Sequence, residues 1–197
     1  MIGESERAAL LVLARSAVER VLGGLSPPPI EPPLTRFTEP RGAFVTIRRR
    51  ATSRLRGCLG ECPARRPLPE CVRRVAVSAA LRDPRFPAVT RDELPLIRFE
   101  ISALTPPQPI QPRDVIVGTH GLILTTETGT GLLLPQVPVE QGWNREAFLD
   151  GLCWKAGVPA GSWRLPEVSL LAFEAEIWEE TDDGRVASGS PEGSDLP

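Results

Sequence analysis

Gly42-Ala43-Phe44-Val45-Thr46-Ile47-Arg48 and, a short turn later, Leu55-Arg56-Gly57-Cys58-Leu59-Gly60 form the stretch on which the fold turns. Ala43, Val45 and Ile47 alternate with Phe44, Thr46 and Arg48, a period of two that sets one strand face on a core and leaves the other wet. Ala51-Thr52-Ser53 supplies a hairpin connection, and Leu55 to Leu59 reads as the returning strand. A cysteine between two glycines, just behind Arg48-Arg49-Arg50, also makes this stretch the first place to look for chemistry. Glycine lets other backbone come close, and nearby guanidinium groups favour a thiolate.

Upstream, Ser5 to Leu22 reads as a helix that Ser5 can cap, with Leu10 or Leu11, Ala14, Ala17 or Val18, and Val21 on one apolar stripe. Gly23-Gly24 ends it, and a proline-rich connector spanning 25–40 follows. Downstream, Pro69 to Arg82 is a second helix, stopped by Asp83-Pro84. Ile97, Phe99, Ile101 and Ala103 alternate as a further strand, and Pro106 to Pro112 is a second stiff excursion. Short apolar runs follow at Val115 to Val117, Leu122 to Leu124 and Leu132 to Leu134. Asn144 caps a third helix to Ala156, and Val168 to Trp178 reads as one long final strand. Strands outnumber helices and mostly alternate, so the expected class is α+β, with largely antiparallel sheets flanked by helices. Residues 1–178 read as a single domain, and the acidic 179–197, nearly devoid of apolar side chains, as a disordered tail.

The 197 residues carry a formal charge of −2, with 41% hydrophobic and 24% charged residues, an ordinary globular composition. Glu4, Arg7, Arg15, Glu19 and Arg20 interrupt the first helix, which suits neither a signal-peptide core nor a membrane span. With four cysteines in such a chain, free thiols and a cytoplasmic setting are expected. Lys155 is the sole lysine among 23 basic residues, a bias that G+C-rich coding explains. Positive charge gathers between Arg41 and Arg74, and negative charge after Trp178.

Cys58 is the leading chemical candidate: a reactive thiol poised by Arg56, or, on the plainer reading, a small buried side chain beside structural glycines. His120, the only histidine, sits in the turn Gly118-Thr119-His120-Gly121, where it either projects into a site or is simply solvated. Paired, Cys58 and His120 would form a thiol–imidazole dyad, the two candidate catalytic residues. Cys58, Cys62 and Cys71, spaced C-x3-C-x8-C, are a poor match to structural zinc spacing, and Arg65 stands where a radical-type cluster motif needs its third cysteine. No metal and no cofactor are expected. The basic 41–74 region leaves nucleic-acid binding open as a lesser alternative to a solvated arginine-rich face. There is no phosphate-binding glycine loop of P-loop or dinucleotide type and no G-x-S-x-G elbow.

Taken together and in order, Leu55-Arg56-Gly57-Cys58-Leu59-Gly60, Asp83-Pro84-Arg85-Phe86-Pro87, Gly118-Thr119-His120-Gly121, Leu134-Pro135-Gln136-Val137 and Glu140-Gln141-Gly142-Trp143 resemble the AMMECR domain family. Cys153-Trp154-Lys155-Ala156-Gly157 and the final strand extend the resemblance, which covers roughly Ser5 to Trp178. Leu59 stands where isoleucine is more usual and Ala88 where a second proline is common. The resemblance implies two unequal lobes with a cleft between them, lined here by Arg56, Cys58, His120 and Gln136, with Gly57 and Gly60 beside them. It further implies an unsettled activity. Similar domains are encoded beside, or fused to, a Memo-like protein and a radical S-adenosylmethionine protein, so membership of a three-part system is expected. Within it the chain would be either an enzyme using Cys58 and His120 or a non-catalytic adaptor.

Overall fold

The structure is a computed structural model that describes residues 2–181 and 186–188. The chain divides into two compact units, one of residues up to Leu104 plus the segment returning from Glu176, the other Thr105–Ala175. Two hydrophobic clusters form, one in each unit.

In the first unit, helix α1 (Glu4–Leu22) leads through the connector to strands β1 (Ala43–Arg49) and β2 (Leu55–Glu61), then helix α2 (Leu68–Leu81) and strand β3 (Ile97–Leu104). Strands β8 (Ala175–Glu180) and β9 (Val186–Ser188) complete a five-stranded sheet in the order β2-β1-β3-β8-β9. β2 and β3 both run antiparallel to β1. The even-spaced face of β1, Ala43, Val45 and Ile47, is wholly buried, as are Phe99 and Ile101 opposite on β3. Leu10, Ala14 and Val18 of α1 and Val72 and Ala76 of α2 close this core, joined by Trp178, whose Nε1–H donates to the Arg7 carbonyl at 3.1 Å. α1 starts one residue before Ser5: Gly3 takes the cap position and its N–H donates to the Glu6 carboxylate at 2.8 Å.

The second unit holds β4 (Gln108–Pro109), β5 (Gly121–Thr125), β6 (Thr130–Leu133), helices α3 (Gln136–Glu140) and α4 (Arg145–Lys155), and β7 (Ser169–Phe173). Its sheet runs β4-β7-β5-β6. Asn144 caps α4 by accepting the Ala147 N–H at 2.9 Å, and Phe148, Leu149 and Leu152 pack it on Leu122, Leu124 and Leu170. The proline excursion supplies β4, tolerated because an edge strand leaves the missing donor of Pro109 unneeded. Val115 to Val117, by contrast, forms no strand.

The long final strand is two. At Glu174 the chain leaves β7, in one sheet, and enters β8, in the other. The break is held by Thr105, whose hydroxyl accepts the Glu174 N–H at 2.8 Å and whose N–H donates to the Glu174 carbonyl at 2.8 Å. Of the expected acidic tail, Glu179 and Glu180 finish β8, and Val186–Ser188 pairs with it. Residues 182–185 and 189–197 lie outside the described residues. Among the described residues no helix is long and apolar enough to cross a membrane.

Candidate functional site

Cys58 lies on β2, the edge of the first unit's sheet, on the face opposite α1 and α2. Register places Thr46 of β1 directly between Cys58 on one side and Glu100 of β3 on the other. Phe44 and Ser102 continue this face in one direction, and Arg48 and Arg98 in the other. The Thr46 hydroxyl donates to the Cys58 sulfur at 3.4 Å.

An edge strand exposes backbone donors and acceptors that need partners. At Cys58 the segment after α2 provides them: Asp83 Oδ2 accepts the Cys58 N–H at 2.8 Å, and Arg85 Nη2 donates to the Cys58 carbonyl at 3.1 Å. Asp83 and Arg85 are themselves bound through two guanidinium contacts, at 3.0 and 2.9 Å, and through the Arg85 N–H, which donates to Asp83 Oδ1 at 3.1 Å. The Asp83-Pro84-Arg85 run therefore stands where a sixth strand would pair. Thr46, Asp83, Arg85 and Glu100 are the members of this site that sequence reasoning did not single out. Asp83 and Arg85 belonged to a quoted motif, the one available signal.

Electrostatics set the state of the thiol. Burial pushes Cys58 up and is the largest influence; the Thr46 hydrogen bond and Arg85 pull it down, while Glu100 and Asp83 raise it. That direction is opposite to the arginine-stabilised thiolate, one of the two readings the sequence left open for Cys58. All four cysteines are free and all are raised by burial, Cys62 and Cys71 to about 11. Glu100 is also raised by burial, against the pull of Arg48. The Arg85 guanidinium holds Asp83 down, to about 2.

Arg56 does not reach the thiol. β2 bulges between its pairings with Ile47 and Arg48, and Arg56 is the extra residue. Its guanidinium, only 4% exposed, binds both Glu93 oxygens at 2.9 Å. Gly57 and Gly60 are packing positions. A Cβ on Gly57 would sit 2.3 Å from the Ala79 carbonyl oxygen of α2, and one on Gly60 would meet the Phe44 ring at 2.2 Å.

His120 and Gln136 belong to the second unit. His120 Nδ1 accepts the Ile116 N–H at 3.1 Å, and Nε2 has no hydrogen-bond partner among the described residues. With Thr105, Gln108, Phe173 and Glu174 it lines a pocket of about 210 Å³. Gln136 opens α3 and is half-buried. Among the described residues no three His, Cys, Asp or Glu side chains gather as a metal site. The basic stretch is largely spent internally: Arg41 binds Glu176, Arg48 binds Glu100, Arg49 and Arg56 bind Glu93, Arg50 binds Glu180, and Arg66 and Arg74 share Glu61.

A family model described as AMMECR1 matches residues 11–178. A protein of Thermococcus gammatolerans is 44% identical over 183 residues, covering 87% of this chain and 88% of its own. A protein of Methanopyrus kandleri is 40% identical over 182 residues, covering 88% and 87%. The crystal structure of an uncharacterized protein from Pyrococcus horikoshii superposes with a TM-score of 0.82 at 38% identity, covering 95% of this chain and 98% of that one.

Proposed function

The chain belongs to the AMMECR1 domain family, and from that premise we propose that it is the binding and positioning component of a cytoplasmic three-part system. Its partners are a Memo-like protein and a radical S-adenosylmethionine protein. The contact with a partner peptide or small molecule is the sheet face around Cys58, opposite α1 and α2. One observation carries this reading: the thiol is immobilised at its backbone by Asp83 and Arg85 and at its sulfur by Thr46, while burial keeps it protonated. A fixed, neutral thiol beside a raised carboxyl offers hydrogen bonds and shape to a bound group. A nucleophile working near neutrality requires the reverse shift.

The test combines two measurements on the purified chain. Alkylation of Cys58 across pH, followed by mass spectrometry, is expected to be slow at pH 7 and to rise only above the ordinary thiol range of about 8.5. Thr46→Val removes a donor to sulfur and should lower reactivity further. In parallel, the chain should form a complex with the Memo-like and radical partners that Cys58→Trp weakens and Cys58→Ser spares. A thiol that alkylates readily at pH 6, or partners that bind Cys58→Trp as well as the native chain, would replace this reading with that of a thiol enzyme.

A further inference from the structure

The outer face of α2 carries a feature that the Cys58 site does not use. Arg73, Arg74, Ser78 and Arg82 follow one another along that face, and with Arg66 and the connector residue Pro27 they line a pocket of about 360 Å³. That volume lies within the range of small-ligand sites, about 300–1,000 Å³. Glu70 is the one acidic residue in its lining.

Three of the four guanidinium groups are held in place. Glu61, behind the pocket, binds Arg66 Nε and Arg74 Nη1, each at 3.0 Å. Arg73 Nη1 donates to the Pro28 carbonyl at 2.8 Å, which fixes the side chain without neutralising it. The Arg82 guanidinium, exposed at the C-terminal cap of α2, has no partner among the described residues. Counting Glu61 and Glu70, two positive charges remain in excess at a concave surface. Each guanidinium has five N–H groups, so most donors here are unspent. Arg73 and Arg82 differ from the arginines of the sheet region, which are matched to half-buried carboxylates such as Glu93, Glu176 and Glu180. Like charges gathered on one helix face repel one another, and an anion bound between them relieves that cost.

We propose that this pocket is a binding site for a short oligophosphate chain, either free or as the phosphate part of a nucleotide. Planar guanidinium forks suit phosphate oxygens, and the clamped Arg66, Arg73 and Arg74 hold their geometry before the ligand arrives. No aromatic side chain lines the pocket, so it offers no stacking platform for the bases of a nucleic acid.

Isothermal titration calorimetry on the full chain at low salt, with inorganic tripolyphosphate as probe, decides the matter. One-to-one binding is expected, weakening as salt is added. Arg82→Ala and Arg73→Ala should each weaken it by about tenfold, the scale of one charge-assisted hydrogen bond. Glu70→Gln should tighten binding, a gain that a misfolded variant cannot imitate. Cys58→Trp, which perturbs the partner-binding face, should leave tripolyphosphate affinity unchanged, which keeps the two sites separate. ATP binding as tightly as tripolyphosphate assigns recognition to the phosphate chain alone, and tighter binding assigns a nucleotide source. Absence of binding, or binding indifferent to Arg73, Arg82 and Glu70, overturns the proposal. So does tighter binding of a single-stranded oligonucleotide that Arg82→Ala abolishes.

Discussion

Asp83 shows how much one side chain can hold. It is 3% exposed, it accepts the edge-strand N–H of Cys58, and its carboxyl is kept near 2 by Arg85. A carboxyl depressed on folding stabilises the folded state above its unfolded value and loses that contribution as pH falls through the folded value. Acid unfolding should therefore steepen between pH about 4 and 2, and Asp83→Asn should lose about 2 kcal/mol at pH 7 while flattening that dependence. Chemical denaturation followed by circular dichroism at several pH values checks both. An Asp83→Asn variant as stable as the native chain at pH 7 would mean that the bracket around Cys58 is incidental. The helix stop and the motif at Asp83-Pro84-Arg85 were legible in the sequence. Their service to Cys58 was not, because β2 lies 25 positions away. Gly57 and Gly60 were visible as a pattern too, but the Ala79 carbonyl and the Phe44 ring that require them come from other elements.

Among the elements, the bulge in β2 has the widest effect. A two-residue period alone sends Arg56 to the same face as Cys58; the irregular register re-aims it to Glu93, on the 3-10 turn Arg91–Leu96. Breaking a buried pair by removing one partner strands the other charge. Glu93→Gln should cost about 3 kcal/mol in denaturant unfolding, whereas substituting Arg56 and Glu93 together by apolar residues of similar size should recover much of it. Equal losses in the single and double variants would show that packing, not charge, dominates at this position. The same separation of local from non-local information explains the last strands. Val168 to Trp178 has continuous strand character, and nothing local marks Glu174 as the break. Thr105, 69 positions earlier, does. α3 went unread because five residues are too few to display a period.

For the molecule as a whole, two cores predict two cooperative units. Phe148, wholly buried in the second, and Phe99, wholly buried in the first, are equivalent probes. Truncating either to alanine costs about 3–5 kcal/mol. In native-state hydrogen exchange Phe148→Ala should lower protection across β5 and α4 more than across β1 and β3, and Phe99→Ala the reverse. Uniform loss of protection in both variants would make the chain a single cooperative unit. At this scale the amino-acid order already settles a good deal: strands by alternation, helices by stripe and cap, the α+β class by their balance, and the family by motifs in order. Each rests on neighbours along the chain, where period and backbone sterics act directly. Folding in three dimensions decides what those elements do to one another: that Thr46 stands between Cys58 and Glu100, that Asp83 and Arg85 close the sheet edge, that Arg56 is spent on Glu93, and that two cores form. These depend on strand register and on which distant partner satisfies a buried charge or an open backbone group. A shift of one residue in pairing would turn the same sequence's faces inside out.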